Sequence, residues 1–312
     1  MKPILYIDTD AGVDDIVAIC MIIAADTFDV RGISIVNGVA SVSRGIRNLS
    51  RILPTITQSI IPLYSGINQT SQNSSVQFPP IDRIRAESFA LFPGISFPPS
   101  SGKFGNIKDL QKSIAAQNES VTFLCLGPLS NIAYLLQNTS IRTVVRELVI
   151  MGGAVNVPGI VPPRNISEYN FRLDAVAANM ILRSSIPKRL IPIDATKKVP
   201  ATMASASKTM QSTVQMFFND VSAAQPLSNA GKIIRSIILN NTGDFQNFYD
   251  PLAAATLLSR TITCQWHPYN LSVSTKGYCK GKVLVGKNKN TTQVPETINA
   301  GAFYSLMIQS LQ

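Results

Sequence analysis

Short apolar runs alternate along this chain with longer segments in which apolar residues recur every three or four positions. Bounded apolar runs are typical of buried β-strands, and they lie at residues 4–7, 30–36, 121–126, 148–151 and 190–193. The three- and four-residue spacing predicts helices at residues 14–25, 42–52, 107–116, 131–136, 175–182 and 251–258. Strands that alternate with helices form mainly parallel sheets. We therefore expect an α/β fold with an open, mainly parallel central sheet and helices on both faces.

Length and composition predict a chain that folds without the help of disulfide bonds. Of the 312 residues, 45% are hydrophobic and 15% are charged, which favours a large core over disorder. A single domain over residues 1–312 is the expectation, although typical domain lengths would also allow two. The four cysteines are widely spaced and form no CxxC pair, so we expect buried thiols rather than a zinc site or disulfides.

The apolar stretches and the charge distribution bear on location and partners. The longest apolar stretch, residues 16–25, covers about half of the roughly 20 residues that a bilayer helix requires. The first residues carry no signal-peptide pattern, so we expect a cytoplasmic protein without a membrane partner. The net charge of +10 includes lysines between residues 276 and 289 that alternate with apolar residues, as at the exposed edge of a hairpin. Nucleic acid is therefore not an expected partner.

Four aspartates lie within eight residues where the first predicted strand meets the first predicted helix. Residues 8–15 read DTDAGVDD, whereas 18 acidic residues in 312 predict about half an acid in a window of this length. Crowded carboxylates raise one another's pKa and destabilise a fold unless a cation or shared protons offset them. A hard divalent cation with oxygen ligands would do so, and Ca²⁺ tolerates irregular geometry. Gly12 would let the backbone turn tightly beside this site.

A purely structural role for these aspartates is the alternative interpretation. Acids in the first turn of a helix complement its dipole, and Asp10 or Asp14 could cap the helix. Such a role accounts for one or two aspartates but not for all four, because Asp8 still lies within the strand. A cation site is therefore the favoured interpretation.

Five sequence blocks in a fixed order resemble the inosine-uridine-preferring nucleoside hydrolase family. They are DTDAGVDD at 8–15, LGPLSNIA at 126–133, ELVIMGG at 147–153, EYNF at 168–171 and YDP at 249–251. The blocks span nearly the whole chain, and their joint occurrence is highly specific. The resemblance implies an open α/β fold, one tightly bound Ca²⁺ and hydrolysis of the N-glycosidic bond of ribonucleosides to ribose and free base.

The resemblance also implies which residues bind the metal and act on water. Asp10, Asp15 and Asp250 would bind Ca²⁺ through their carboxylates, and Leu126 would bind it through its backbone carbonyl. Asp10 would also be the general base that takes a proton from the attacking water. Asp8 would support the metal site from behind.

The same resemblance implies how the sugar is held. Asp14, Asn170 and Asp250 would bind the ribose 2′- and 3′-hydroxyls, and Glu168 would bind the 5′-hydroxyl. Cleavage of the C1′–N bond builds positive charge on the ribosyl group, as in O-glycoside cleavage. Acidic groups around the sugar would stabilise that charge as it develops.

Two asparagines that the family uses are displaced in this chain. Where the family usually has Gly-Asn after the second strand, residues 37–39 read NGV, so Asn37 either replaces the sugar-binding asparagine or serves as a turn residue. The loop before the EYNF block is longer than expected, and Pro162 stands where an asparagine would contact the 5′-hydroxyl. Asn165 could substitute for it, although a turn-forming or solvated role is the favoured interpretation.

Tyr249 replaces the histidine that frequently serves the family as the acid for the departing base. The single histidine, His267, lies outside all five blocks. A tyrosine can donate a hydrogen bond, and its ring can also stack on a purine. Purine-preferring members of the family use aromatic stacking instead of a histidine acid, so the resemblance implies a preference for purine ribonucleosides. Further aromatic candidates, each more typical of a core position, are Phe217, Phe218, Phe245 and Phe248.

Two other functions are alternatives to this interpretation. A nucleoside-binding relative with weak or no activity would explain the missing asparagine and histidine. A haloacid-dehalogenase-type phosphatase, which uses Mg²⁺, also begins with a strand that ends in Asp8 and Asp10, but it does not need Asp14 or Asp15. It would also leave the EYNF and YDP blocks without a role. For the hydrolase interpretation, the resemblance implies a homodimer or homotetramer.

Overall fold

All five predicted strands are present in a computed structural model, which describes residues 1–68, 77–88, 92–241, 243, 245–263, 265–286 and 290–312. Within these ranges the strands are β1 (Ile4–Thr9), β2 (Asp29–Ile35), β3 (Leu63–Ser65), β4 (Phe104–Asn106), β5 (Val121–Cys125), β6 (Val145–Met151), β7 (Lys188–Ile191), β8 (Trp266–Tyr269), β9 (Leu271–Val273), β10 (Val283–Val285) and β11 (Thr292–Pro295). Strands β3, β4, β9 and β10 have only three residues each, which is too short for a periodic pattern to reveal them.

The six predicted helices are also present. Within the described residues the helices are α1 (Val13–Ala25), α2 (Val42–Ile56), α3 (Pro80–Glu87), α4 (Ile107–Ala115), α5 (Ser130–Leu135), α6 (Thr139–Val144), α7 (Tyr169–Leu173), α8 (Ala175–Leu182), α9 (Ile193–Thr196), α10 (Gln211–Ala223), α11 (Asn229–Leu239), α12 (Tyr249–Leu258) and α13 (Ala300–Gln309). Helix α2 continues four residues beyond its predicted end, with Pro54 in its last turn.

The main sheet has the strand order β4-β3-β2-β1-β5-β6-β7-β11-β8. Its neighbouring strands pair in parallel, except that β8 runs antiparallel to β11. The expected open, mainly parallel sheet is therefore confirmed. A separate antiparallel pair of β9 and β10 forms the predicted hairpin, of which residues 287–289 lie outside the described residues.

Helices cover both faces of the sheet, as expected. Alternate residues of a strand point to opposite faces, so Leu5 and Ile7 pack into a core with α1, α2, α11, α12 and α13. Ile4 and Tyr6 pack into a second core with α4, α5, α6 and α8. Every residue of β1 is consequently buried. This double covering is the physical reason that the inner strands have continuous apolar sequences.

The strand order around β1 positions a crevice at the carboxyl ends of the strands. Strand β1 has β2 on one side and β5 on the other, so the chain winds away from β1 in both directions. In open α/β sheets ligands bind beyond the strand ends at such a switch point. The DTDAGVDD block spans the end of β1, and Leu126 follows β5.

The remaining sequence expectations have mixed outcomes. The strand predicted at 190–193 ends at Ile191, because Pro192 has no N–H to donate and Ile193 begins α9. Cys20 and Cys125 are buried free thiols, Cys279 is free and partly exposed, and Cys264 lies outside the described residues. In the part of the chain that the structure describes, no helix combines the length and apolar character needed to cross a bilayer. The single domain over 1–312 stays a prediction.

Candidate active site

The backbone between β1 and α1 turns sharply at Ala11. Ala11 has a left-handed φ of 57°, so the turn that was expected at Gly12 is made one residue earlier. Gly12 instead has extended geometry as the N-cap of α1. A Cβ at Gly12 would lie 2.8 Å from Asp15 Oδ2 and 3.0 Å from Val39 Cγ1. Gly12 is therefore required for space and not for a positive φ.

Asp15 is held in place by this turn. Its Oδ2 accepts a hydrogen bond from the Gly12 N–H at 3.0 Å, and its Oδ1 accepts one from the Thr9 hydroxyl. Thr9 Oγ1 in turn accepts a hydrogen bond from the Ala11 N–H at 2.9 Å. A capping role therefore exists, but it belongs to Asp15 at the third helical position.

Asp10 packs against the backbone that follows β2. Its Oδ2 accepts a hydrogen bond from the Val39 N–H at 2.9 Å. Gly38 approaches so closely that a Cβ there would lie 2.0 Å from the same oxygen. The NGV sequence therefore requires glycine at its centre because the Asp10 carboxylate occupies the space of a side chain.

Asp250 joins these aspartates from the first turn of α12, more than 200 residues away along the chain. Asp14, Asp15 and Asp250 each offer one carboxylate oxygen, and these oxygens lie within 4.8 Å of one another. Among the described residues, the buried Asp250 Oδ1 has no hydrogen-bond partner. The oxygen cluster thus contains Asp14 in addition to the predicted ligands Asp15 and Asp250, whereas Asp10 lines the same pocket outside this cluster.

We call Asp10, Asp14, Asp15 and Asp250 the acidic floor, and the pKa of every member is raised. Burial is the largest cause for each carboxyl group, because removal of water disfavours the charged form. The charge of Asp15 raises the pKa of its three neighbours further, and the pKa of Asp14 reaches about 7. A cation among these groups would restore their charged forms.

The donor groups of the acidic floor fit a hard divalent cation. Every candidate donor is an oxygen, including the backbone carbonyl of Leu126, which lines the same pocket. The unpartnered Asp250 Oδ1 is a buried acceptor that lacks the hydrogen bond expected of such a group. Oxygen-only sites suit Ca²⁺ and Mg²⁺, whereas zinc sites commonly use nitrogen and sulfur donors. The residues present are therefore suited to an alkaline-earth ion.

Asp8 lies behind the acidic floor and connects it to a neighbouring loop. Its Oδ1 accepts hydrogen bonds from Asn131 Nδ2 at 2.8 Å and from the Ser34 hydroxyl. Asn131 Oδ1 accepts a hydrogen bond from the Ile67 N–H at 2.8 Å. Burial raises the pKa of Asp8 to about 7 despite these bonds, and the charge of Asp15 adds to the effect.

The EYNF block begins α7 and brings two polar side chains to the floor. Glu168 is the N-cap: its carboxylate accepts hydrogen bonds from the N–H groups of Asn170 at 2.7 Å, Phe171 at 3.1 Å and Gly153 at 2.9 Å. Asn170 Nδ2 donates to the Leu126 carbonyl at 2.9 Å. Burial raises the pKa of Glu168. Because a carboxylate has about four lone-pair sites, Glu168 can cap the helix and still accept a hydrogen bond from a ligand hydroxyl.

These groups line one pocket of about 790 Å³, a volume that includes open solvent at its entrance. The same pocket is lined by a second group of residues, Phe78, Asp82, Arg85 and Ala86, which we call the α3 wall. The predicted residues that the structure brings together in this pocket are Asp10, Asp14, Asp15, Leu126, Glu168, Asn170, Tyr249 and Asp250.

The two displaced asparagines lie outside the lining of this pocket. Asn37 is partly exposed, and its N–H donates to the Ile67 carbonyl at 3.2 Å, while Val39 lines the pocket. A sugar contact by Asn37 stays a prediction. Asn165 is exposed and has a left-handed φ of 50°, and its N–H donates to the Val161 carbonyl at 2.9 Å. This is the geometry of a turn residue.

Of the four phenylalanine candidates, Phe245 is the one found in the pocket lining. Phe217 and Phe248 are buried in the core, where their rings meet edge to face at 5.7 Å, and Phe218 packs beside them. Tyr249 is half-buried, and its hydroxyl accepts a hydrogen bond from Asn247 at 3.4 Å. Burial is the largest cause of the raised pKa of Tyr249, so the phenol keeps its proton at neutral pH.

The α3 wall lies outside all five sequence blocks, and Tyr169, although it belongs to the EYNF block, was given no role by the sequence. Phe78 stacks on Tyr169 with ring centroids 4.5 Å apart, which extends the aromatic lining towards the mouth. Pro80 at the first helical position and Asp82 in the first turn are a helix-start signature that could have identified α3. That signature would not have revealed which side of the helix faces the pocket.

Comparisons with known proteins show the family and the fold of this chain. The sequence model of the family described as "Inosine-uridine preferring nucleoside hydrolase" matches residues 5–305. An uncharacterized protein of Schizosaccharomyces pombe is 30% identical over 62% of this chain and 62% of its own length. The pyrimidine-specific ribonucleoside hydrolase RihA of Salmonella paratyphi C is 26% identical over 99% of this chain and 98% of its own length. The solved structure of a purine-preferring ribonucleoside hydrolase from Gardnerella vaginalis has a TM-score of 0.78 and 21% identity, with 99% of this chain and 98% of that chain covered.

Proposed function

This chain belongs to the inosine-uridine preferring nucleoside hydrolase family, and we propose that it hydrolyses purine ribonucleosides to ribose and free base in a Ca²⁺-dependent reaction. The proposal is carried by one observation: three carboxylates of the β1–α1 turn and the distant Asp250 line one pocket, and the buried Asp250 Oδ1 has no partner in the described residues. Ribonucleoside hydrolysis follows from the family, whereas the cation, the base preference and the residue roles are proposals. The family match leaves the phosphatase alternative without support.

The acidic floor and the Leu126 carbonyl would hold the cation. Asp10, Asp15 and Asp250 would contribute carboxylate oxygens, and all three line the pocket with Leu126. A bound Ca²⁺ would offset the mutual repulsion of these groups and orient the attacking water. Asp8 and Asn131 would keep the ligands in place from behind.

The ribose would lie on the acidic floor with its hydroxyl groups towards the carboxylates. Asp14, Asn170 and Asp250 would accept hydrogen bonds from the 2′- and 3′-hydroxyls, since hydroxyl donors bind strongly to carboxylates. Asn170 Nδ2 already donates to the Leu126 carbonyl, which leaves Oδ1 as the atom to face the sugar. Glu168 would accept a hydrogen bond from the 5′-hydroxyl through a lone pair that its capping bonds do not use.

Asp10 would take the proton from the attacking water. The Val39 N–H fixes one of its oxygens at 2.9 Å, which leaves the other oxygen to accept the proton. The water oxygen would bond to C1′ as the C1′–N bond breaks. The base would leave with the electron pair of that bond and would take up a proton from solvent water. Positive charge that develops on the sugar is stabilised by the carboxylates of the acidic floor.

Aromatic side chains around the pocket favour a purine base. Tyr249, Phe245, Tyr169 and Phe78 all line the pocket, and a two-ring base offers more surface for stacking than a pyrimidine does. The raised pKa of Tyr249 makes its phenol a weak acid, which favours stacking over proton donation. Relatives leave both base classes open, because one is described as pyrimidine-specific and another as purine-preferring.

Release of reducing sugar from a panel of nucleosides tests this proposal. Inosine, adenosine, guanosine, uridine and cytidine would be incubated with the purified chain, with and without a calcium chelator. We expect release from the purine nucleosides, its loss on chelation and its recovery when Ca²⁺ is restored. Faster release from uridine or cytidine would contradict the purine preference. Calorimetric binding of inosine or adenosine without sugar release would instead indicate an inactive nucleoside-binding relative.

We also propose that the chain is a single domain and forms a homodimer or homotetramer. The described elements of the main sheet run from the first residues to Pro295, so the sheet draws on both ends of the chain. Light scattering would determine the oligomeric state, and a single cooperative unfolding transition is expected of one domain.

A further inference from the structure

The α3 wall is fixed in place by contacts on its far side. Arg83 Nε and Nη2 donate to the Val39 and Gly38 carbonyls, each at 3.3 Å. Glu87 Oε1 accepts hydrogen bonds from the N–H and the hydroxyl of Ser41 at 3.0 and 2.8 Å. These contacts attach α3 to the loop that also carries the Val39 N–H bound to Asp10. The helix is thereby held with Asp82 towards the pocket.

Asp82 is a half-buried carboxylate that lines the pocket. Within the described residues its side chain has no hydrogen bond or ion pair at contact distance, unlike Glu87 on the same helix. Burial raises the pKa of Asp82, and the nearby Arg85 guanidinium partly opposes the rise. The charges of Asp82 and Glu168 both add to the burial that raises the pKa of Tyr169, so this phenol lies within electrostatic range of both carboxylates.

The proposed position of the sugar determines what Asp82 would meet. This step rests on the proposed function, in which the ribose hydroxyls face the acidic floor. Three of the four floor residues are buried, and Asp14 is partly exposed, as are Phe78, Asp82 and Arg85 of the α3 wall. A base attached to C1′ would point away from the buried carboxylates and towards the partly exposed part of the lining, which includes Asp82. Its hydrogen-bonding edge would then face a carboxylate.

We propose that Asp82 is a specificity-determining residue that selects bases with two adjacent N–H donors. An ionised carboxylate only accepts hydrogen bonds, and its two oxygens match two neighbouring donors. The 2-amino-6-oxopurine edge of guanosine offers a ring N–H beside an amino group. Adenosine presents a ring-nitrogen lone pair beside its amino group, which the carboxylate repels. Guanosine is therefore the favoured substrate.

The Asp82→Asn variant should shift the preference of this contact from guanosine towards adenosine. The amide of asparagine offers an N–H donor for the ring-nitrogen lone pair of adenosine and an oxygen acceptor for its amino group. This match is equivalent to the match between a carboxylate and guanosine. We expect the ratio of kcat/KM for guanosine to that for adenosine to fall at least about 10-fold, the range expected for a bidentate contact to a base. Asp220→Asn is the control, because it neutralises an exposed acid on α10 that does not line the pocket. Its ratio should stay within about 2-fold of the original.

A substrate change tests the same contact without altering the protein. In 1-methylguanosine a methyl group replaces the ring N–H, so the original chain should lose at least about 10-fold in kcat/KM relative to guanosine. The Asp82→Asn variant should discriminate less between these two nucleosides. Unfolding temperatures of the variants would confirm that each is folded.

The outcomes separate this inference from the proposed function. Equal loss of kcat/KM on guanosine and adenosine would place Asp82 against the sugar, for example at the 5′-hydroxyl, and would overturn the inference. An unchanged ratio would overturn it as well. If the original chain releases no ribose from any nucleoside, the proposed function fails. The preference of Asp82 is then measured as the ratio of the calorimetric dissociation constants for guanosine and adenosine, in the original chain and in the Asp82→Asn variant.

Discussion

The acidic floor and the α3 wall line the same pocket, but they are built in different ways. Floor carboxylates such as Asp10 and Asp15 are buried and receive hydrogen bonds from backbone N–H groups within the sheet region. The α3 wall comes from one short helix and Phe78 just before it, and the helix is attached by two of its side chains, Arg83 and Glu87. Its pocket-facing carboxylate, Asp82, is half-exposed.

This difference indicates a division of labour between the two regions. Groups that hold charge and move a proton need fixed positions, which the ends of a buried parallel sheet provide. Groups that select among bases need only a few contacts, which a peripheral helix can supply. We therefore expect changes in the acidic floor to affect every nucleoside alike, and changes in the α3 wall to affect some nucleosides more than others.

The largest effect is expected when the proposed general base is removed. Asp10→Asn keeps the size of the side chain but cannot accept the proton from water, so kcat should fall by about 10²–10⁴-fold for all nucleosides. Reducing-sugar assays at saturating Ca²⁺ would measure the loss, and circular dichroism would verify folding. Asp220→Asn is the control, because Asp220 is exposed on α10 and distant from the pocket. Losses of similar size in both variants would count against the proposed role of Asp10.

Removal of the cation should also abolish activity and should lower stability. Because the acidic floor binds the ion only when folded, Ca²⁺ at about 100 times its dissociation constant should stabilise the chain by about 2.7 kcal/mol. Thermal unfolding with a chelator, with Ca²⁺ and with Mg²⁺ would measure the shift. An unfolding temperature that does not respond to either ion would contradict a metal site at the floor.

A smaller effect is expected behind the floor, at Asn131. Asn131→Ala removes the hydrogen bond that Asn131 donates to Asp8 and the one that it accepts from the Ile67 N–H. The affinity for Ca²⁺ should therefore fall by about 10–100-fold. Calorimetric titration with Ca²⁺ would measure it. Asn138→Ala is a matched control that removes the cap of α6, at a cost of about 1 kcal/mol, far from the floor. Equal Ca²⁺ affinities in the two variants would show that Asp8 does not need Asn131.

Tyr249 should show a mild effect that depends on which part of the side chain is removed. If the ring stacks on the base, Tyr249→Phe should change kcat by less than about 3-fold, whereas Tyr249→Ala should lower kcat/KM by about 10-fold. Rates with guanosine and inosine would decide between these outcomes. A loss in Tyr249→Phe as large as that in Tyr249→Ala would indicate that the phenol donates a proton.

The smallest effect on activity is expected at Lys188, the first residue of β7. It lies at the amino end of its strand and outside the pocket lining. Burial lowers the pKa of Lys188 to about 8, and its Nζ donates to the Ser184 carbonyl at 2.8 Å. Because this pKa lies below the unfolded value of 10.5, the burial cost is fully present below pH 8, and stability should rise as the pH increases from 8 to 10.5.

Lys188→Met should remove this pH dependence and stabilise the chain at pH 7 by about 3 kcal/mol at most, without altering kcat. Urea unfolding at pH 7 and pH 10 would measure both effects. A variant that is less stable than the original at pH 7 would contradict the interpretation, because the hydrogen bond to Ser184 would then outweigh the burial cost.

Local sequence predicted the inner part of the fold and most of the acidic site. Strands β1, β2, β5 and β6 are buried on both faces, so their apolar runs are unmistakable. The three-residue strands at the edges and the antiparallel β8 gave no comparable signal, because pairing partners rather than composition define them. The DTDAGVDD block marked the acidic site because four carboxylates in eight residues are costly without a compensating charge.

The sequence by itself predicted the fold class from periodic burial and the aspartates of residues 8–15 from crowded charge, because both are local properties of a chain. The resemblance of five blocks indicated the family and Asp250. Only the tertiary structure decided that Ala11 makes the turn, that Asp14 lies within the oxygen cluster and that Asp82 joins the pocket lining from α3. Each of these depends on the distance between segments that are remote in sequence or on a backbone angle. Such quantities are set by how helices pack on the sheet, which no local pattern records.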